Sequence, residues 1–232
     1  MSPILVTAIQ GVDFTEVTDC SPMHPRKTIE DVFGVPAFGP AMFYTCPGGL
    51  RFALSDGGAA LDEALTALHK ATVICRDVFS GADMLTVCLG CHAPDGRFEM
   101  RTMLRELARA GLSIPRARDV RVDYLSGGEE SMGDRGDRWL SVVFTLPATK
   151  LQNLLWCALA YDLNVRPRPG CRIHIINLAQ RLIVHPYDDR GMDVVGPNSA
   201  LLGQLYRKHN AWLLDYDRAQ MDATFALPPG DR

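Results

Sequence analysis

The chain has 232 residues, 47% of them hydrophobic and 22% charged, with a formal net charge of −3. That composition supplies a core and excludes intrinsic disorder, collagen-like repeats and a coiled-coil rod. A pI near 6.1 also argues against a dedicated nucleic-acid coat, while leaving room for a local basic patch.

Residues 1–30 show no clear period and read as an N-terminal extension. Their first residues lack the basic region of a secretory signal, and Asp13 and Glu16 follow closely. Val32 to Leu50 runs without a charge and is long enough to span a bilayer, but Pro36, Pro40 and Pro47 preclude a continuous helix there. Seven cysteines, an odd number in a chain of this size, point to reduced thiols in a cytoplasmic protein.

Ala41–Thr45 and Leu50–Leu54 read as strands joined by the turn Cys46-Pro-Gly-Gly49. Leu61, Leu65, Leu68, Thr72, Cys75 and Phe79 recur at spacings of three and four, which predicts a helix buried along that stripe. Ser80-Gly81 closes it, and Met84–Leu89 follows as a buried strand. Arg97–Ala110 is the second helix, with Met100, Leu104 and Leu107 facing inward and Gly111 just past its end. Val120–Leu125 and Trp139–Leu146 are strands around the glycine-rich loop 126–137, the candidate lobe boundary. Pro147 opens a helix carrying Leu151, Leu154, Leu155, Ala158 and Leu159. Arg166-Pro-Arg-Pro-Gly170 is extended. Arg172–Asn177, Leu182–Tyr187 and Met192–Val195 are strands, with Gly191 expected in the left-handed region at the last turn. A helix starting at Pro197-Asn198 and a final turn over Asp217–Phe225 complete the fold. The expectation is an α+β fold, a mixed, mostly antiparallel sheet with helices packed on it. It forms one domain over 31–227, with 228–232 as a tail.

Four groups of residues invite a chemical reading. Cys88, Cys91 and His92, with Cys75 or His69, have zinc-ligand chemistry, and Cys20 and His24 form a weak further pair. The second spaced ligand pair of a structural zinc site is missing, and Cys88-Leu-Gly-Cys91-His92 as a haem attachment motif lacks an export signal. The expected cofactor is none. His185, Asp188, Asp189 and Asp193 fall on one hairpin, where carboxylates can hold Mg²⁺ or Mn²⁺ for phosphoester hydrolysis or simply bond the turn's backbone. Arg190 beside them opposes a cation site. Arg97, Arg101, Arg105 and Arg109 recur every fourth residue, and residues 97–121 hold seven Arg against Glu99, Glu106 and Asp119, a local charge of +4. Phosphate or an acidic protein surface could dock on that face, but apart from Phe98 no aromatic residues interleave for base stacking.

Phe43-Tyr44 with Gly49-Leu-Arg-Phe-Ala-Leu54 forms one recognisable stretch. The other is His185-Pro-Tyr-Asp-Asp-Arg-Gly-Met-Asp-Val194, followed by Leu205-Tyr206, Asn210-Ala-Trp-Leu-Leu-Asp-Tyr-Asp-Arg218 and Phe225. Together they resemble an uncharacterised bacterial family, domain of unknown function 3885, over residues 35–226. The resemblance implies one bacterial domain and no established activity, cofactor or catalytic residue. Within these segments Tyr187 to Asp193 reads as a turn that satisfies its own backbone. Trp212 and Tyr216 are large enough to pin the last helix to the sheet. Asp215 and Asp217 are expected to accept from Arg190, bracing hairpin to helix. No catalytic motif points to an enzyme. The reading is a protein-binding module, for instance an immunity or accessory protein beside a toxin or effector, with no membrane contact and nucleic acid as a lesser alternative.

Overall fold

A computed structural model describes residues 25–34, 38, 41–92, 97–124, 138–160 and 165–226. In chain order the elements are α1 (Pro25–Phe33), α2 (Met42–Thr45), β1 (Leu50–Ala53), α3 (Ala60–Val78), β2 (Met84–His92), α4 (Arg97–Arg109), β3 (Asp119–Tyr124), β4 (Arg138–Pro147), α5 (Leu151–Leu159), β5 (Arg172–Asn177), β6 (Leu182–Pro186), β7 (Gly191–Val195), α6 (Ser199–Lys208) and α7 (Arg218–Phe225). The strands form a seven-stranded sheet in the order β1-β7-β6-β5-β2-β4-β3, antiparallel at every pairing.

Strand alternation divides the sheet's side chains between two cores. Leu50 and Phe52 of β1, Leu85, Val87 and Leu89 of β2, Ile173 and Ile175 of β5, and Met192 and Val194 of β7 face the layer built from α3 to α7. Cys88, Val143, Ile176, Ile183 and Val195 face the other way, under Ile29 of α1 and Met42 of α2. The sheet is therefore covered on both faces, which explains why its strands read as nearly continuous apolar runs.

The largest helix is anchored differently from its leucine pattern. Ala64, Ala67, Ala71, Ile74, Cys75 and Val78 of α3 are buried, while Leu61 and Leu65 are 67% and 55% exposed. Alanines let α3 lie close against α5, so the small residues take the interface and the leucines turn outward. Its ends follow helix electrostatics, with Asp62 and Glu63 in the first turn, Arg76 in the last, and Gly81 at φ +74 beyond it. In α4 the buried side is Met103, Glu106 and Leu107, with Leu104 exposed. For α6, which starts where the sequence predicts, Asn198 Oδ1 accepts the Leu201 amide at 3.1 Å and caps the helix.

Several expectations are corrected. Met42–Thr45 is a helical turn, entered through Ala41 at φ 52, because burying Met42 and Phe43 under the sheet outweighs the local strand propensity. The extension read over residues 1–30 includes α1, whose Ile29 is fully buried. The α+β expectation itself holds, and the mostly antiparallel sheet is antiparallel at every pairing of the described strands. Gly191 does not adopt a left-handed conformation. It is a close-approach glycine, since a Cβ there would run into the Tyr187 ring and hydroxyl. The loop 126–137 and the tail 228–232 lie outside the described residues. The strands flanking that loop, β3 and β4, pair from Asp119↔Val143 to Tyr124↔Arg138, so both sides of the lobe boundary read there belong to one sheet.

Candidate functional site

Cross-strand partners share a face, and one rung of this sheet carries unusual chemistry. Arg51 pairs with Asp193, Asp193 with His185, and Cys88 with His174 and Val143, all on the α1/α2 face. The His174 and His185 rings stack with centroids 4.2 Å apart, which closes the row. It runs Arg51, Asp193, His185, His174, Cys88 across five strands in the sheet's interior.

At the β1 end Arg51 is the hub. Its Nε donates to Asp193 Oδ1 at 2.7 Å and its Nη2 to Asp193 Oδ2 at 3.1 Å, the two-pronged geometry that guanidinium and carboxylate favour. Nη1 donates to Asp217 Oδ2 at 3.1 Å. The remaining capacity of the carboxylates is also used. The Phe43 amide donates to Asp193 Oδ2 at 3.1 Å, and the Tyr44 hydroxyl donates to Asp217 Oδ1 at 3.0 Å. The guanidinium lies within cation–π distance of the Phe43, Tyr44 and Tyr187 rings, at 5.1, 4.5 and 5.5 Å. Asp193 is 0% exposed, so this charge is tolerated only because it is fully bonded. Burial alone would lower the Arg51 pKa, and the Asp193 hydrogen bonds override it and drive it upward. Arg51 therefore stays charged at every accessible pH.

Asp188 works separately, inside its own turn. Its Oδ1 accepts the amides of Arg190 at 2.8 Å and Gly191 at 3.1 Å, and its Oδ2 pairs with the Arg190 guanidinium. The pairing of Arg190 with Asp217 is thus corrected. Asp188 captures Arg190 two residues away, and Asp217 meets Arg51 instead. Of the residues expected to pin the last helix, Trp212 packs on the core and stacks on His209 at 5.2 Å. Tyr216 does the reverse, standing 86% exposed beside an exposed Asp215.

The acidic hairpin does not converge on a cation. Asp193 lies inside the sheet under Arg51 while Asp188 serves the turn, and Asp189 is buried as well. Cys88 and Cys91 point to opposite faces of β2, and burial pushes the Cys88 thiol up to about 12. Among the described residues no group of three or more His, Cys, Asp or Glu is placed to hold a metal. Cys20 and His24 lie outside the described residues. His69 is exposed on α3, while Cys75 is buried against the core. On α4, Arg101, Arg105 and Arg109 are exposed, and Arg109 pairs with buried Glu106 at 2.6 Å. Glu106 also accepts the Arg168 amide and the Arg166 guanidinium, both at 3.1 Å, tying the extended 166–170 segment to α4. Arg97 belongs to the same helix, and its side chain lies outside the described residues.

Beside the brace, at the strand ends, is a cleft of about 230 Å³. The sequence pattern gave no sign of it, because its walls come from β2, β4, β5 and β6. Arg172 and Gly90 are part of its lining, with Trp139 on one side and His185, Pro186 and Tyr187 on the other. Burial lowers the His185 pKa to about 4, so the imidazole is neutral, and its Nδ1 lies 3.2 Å from the Ile173 carbonyl oxygen. The segments carrying the family resemblance thus split into two roles. Phe43, Tyr44, Arg51, Asp193 and Asp217 form the brace, and His185, Pro186 and Tyr187 form one wall of the cleft.

Among the described residues, no helix is long and apolar enough to cross a membrane. Comparison with curated proteins and with solved structures finds no match to the chain. The family model described as domain of unknown function (DUF3885) matches residues 26–217, from α1 through the Asp217 that Arg51 holds, and the chain belongs to that family.

Proposed function

We propose that this domain is a non-catalytic protein-binding module in which the family-signature residues build a rigid frame and the aromatic side chains around that frame make the contact. The observation that carries this reading is Tyr44. It is 54% exposed, yet its ring is held by the Arg51 guanidinium and its hydroxyl by Asp217. A surface aromatic already fixed in one orientation loses little entropy on binding, which is the property of an interface anchor. Tyr216 stands close by and is almost fully exposed. The acidic residues that suggest hydrolysis are bonded internally, which leaves them to architecture.

The test places a photo-crosslinking benzoylphenylalanine at Tyr216 in cells of the native host. One predominant protein adduct is expected, competed by the unmodified protein and diminished by Tyr44→Ala. Labelling no stronger or more selective than from the same probe at exposed Leu61 would refute the reading.

A further inference from the structure

The cleft at the strand ends brings together two cysteines that are far apart in sequence. Strands β2 and β5 pair from Thr86↔Ile176 to Gly90↔Arg172. One more rung of that register sets Cys91 opposite Cys171. Strand alternation puts both on one face. Leu85, Val87 and Leu89 of β2 and Ile173 and Ile175 of β5 face the helix-layer core, and Cys91 and Cys171 continue those two rows. Directly opposed residues on antiparallel strands have Cβ atoms about 4.5–5.5 Å apart, and a disulfide needs about 3.5–4.5 Å. This rung lies at the end of the ladder, where a small closing of the backbone makes up the difference. Both side chains are free thiols, and both line the cleft. Their access differs, since Cys91 is half-buried and Cys171 only 2% exposed. Cys157 of α5 is buried in the same core, but among the described residues lining the cleft the cysteines are Cys91 and Cys171.

We propose that Cys91 and Cys171 form a redox site, a dithiol that reduces a small disulfide entering the cleft and closes reversibly into a bridge between β2 and β5. The site is independent of any protein contact at Tyr44 and Tyr216. Cys91, the more accessible thiol, attacks one sulfur of the incoming disulfide as its thiolate. That S–S bond breaks, and the departing half leaves as a thiol once it takes a proton. The Cys171 thiolate then attacks the Cys91 sulfur of the mixed disulfide, forming the Cys91–Cys171 bond and releasing the second small thiol. The two protons lost by the cysteines end on the two released thiols. The dithiol gives up two electrons, and the small disulfide receives them. Excess small thiol runs the sequence backwards. Burial raises the pKa of both cysteines, so the exchange is slow at neutral pH and quickens as pH rises.

The experiment incubates the reduced full chain, under native conditions, with oxidised glutathione from neutral to mildly alkaline pH. Peptide mass mapping without reductant is expected to find a Cys91–Cys171 bridge, returned to free thiols by dithiothreitol. Its rate of formation should rise by up to roughly tenfold per pH unit below the thiol pKa. Cys171→Ala removes the second thiol, so glutathione should accumulate on Cys91 at least several-fold above the wild-type level. Cys157→Ala should leave the bridge in place. The proposal is overturned if the native wild-type chain forms no Cys91–Cys171 bridge, if that bridge forms only in urea, or if Cys171 pairs with Cys157 instead. It is equally overturned if Cys171→Ala, folded by its melting temperature, holds no more glutathione on Cys91 than the wild type.

Discussion

Arg51 and Asp193 stand 142 residues apart in the chain and meet as a two-pronged ion pair on adjacent strands, with Asp193 fully buried beneath. Such a pair is informative because it is expensive to break. Removing one partner leaves an uncompensated charge in the interior. Arg51→Ala strands both Asp193 and Asp217, and is expected to cost about 3–5 kcal/mol in urea unfolding. Arg190→Ala, at an exposed side chain paired within its own turn, should cost under about 1 kcal/mol. The ordering of those two variants distinguishes a brace at Arg51 from one at Arg190.

Gly191 and Tyr187 give a second prediction. Gly191→Ala forces a Cβ into the phenol, which is itself backed by Arg51. The expected cost is about 1–3 kcal/mol, the range for overpacking a tight site. Tyr187→Ala in the same chain should absorb most of that increment, because the added methyl then has room. Equal cost in both backgrounds, read from thermal or urea unfolding, would place the constraint on the backbone instead.

The pH dependence of stability follows from His185. Its folded pKa, lowered by burial to about 4, lies below the ordinary His value, so the unfolded chain takes up a proton that the native state refuses. Stability is therefore full above roughly pH 6.5 and falls as pH drops from there toward 4, by on the order of 3 kcal/mol. His185→Gln should flatten that slope, measured as urea midpoints between pH 4 and 7.

A separate acid limb belongs to Asp77, where α3 meets the end of α6. Burial raises its carboxyl, but bonds from Lys208 and His209, both at 2.6 Å, outweigh that and hold its pKa below the usual value. This stability is present above the ordinary Asp range and is lost as pH falls through the lowered folded pKa. Asp77→Asn is expected to cost about 1–2 kcal/mol at neutral pH and to blunt the loss below pH 4.

Much of the fold was readable from the chain. The strands from Met84, Trp139, Arg172 and Leu182 stood out as apolar runs between turn residues, and Pro197-Asn198 marked the start of α6. Other features were hidden for identifiable reasons. The α3 leucines are the more hydrophobic residues, but close helix packing selects the alanines, which no single-helix pattern reveals. Met42–Thr45 has strand-like residues and is made helical by what it covers. The acidic hairpin was conspicuous in sequence, and its meaning was not, because the partner of Asp193 lies 142 residues earlier in the chain, on the neighbouring edge strand β1. Arg51 lies within one of the segments that carry the family resemblance, flanked by buried Leu50 and Phe52, and an arginine alternating with apolar residues is the signal the sequence offers. The cleft had no local signal at all, since Trp139, Arg172 and Tyr187 converge only when four strands assemble.

The central claim is that the signature residues are a brace held by Arg51. Its most direct test is a double-mutant cycle of Arg51→Met and Asp193→Asn, with stability measured by urea unfolding. A coupling of at least about 2 kcal/mol, with the double variant far better than the sum of the singles, is the predicted result. Additivity within about 0.5 kcal/mol would contradict the account.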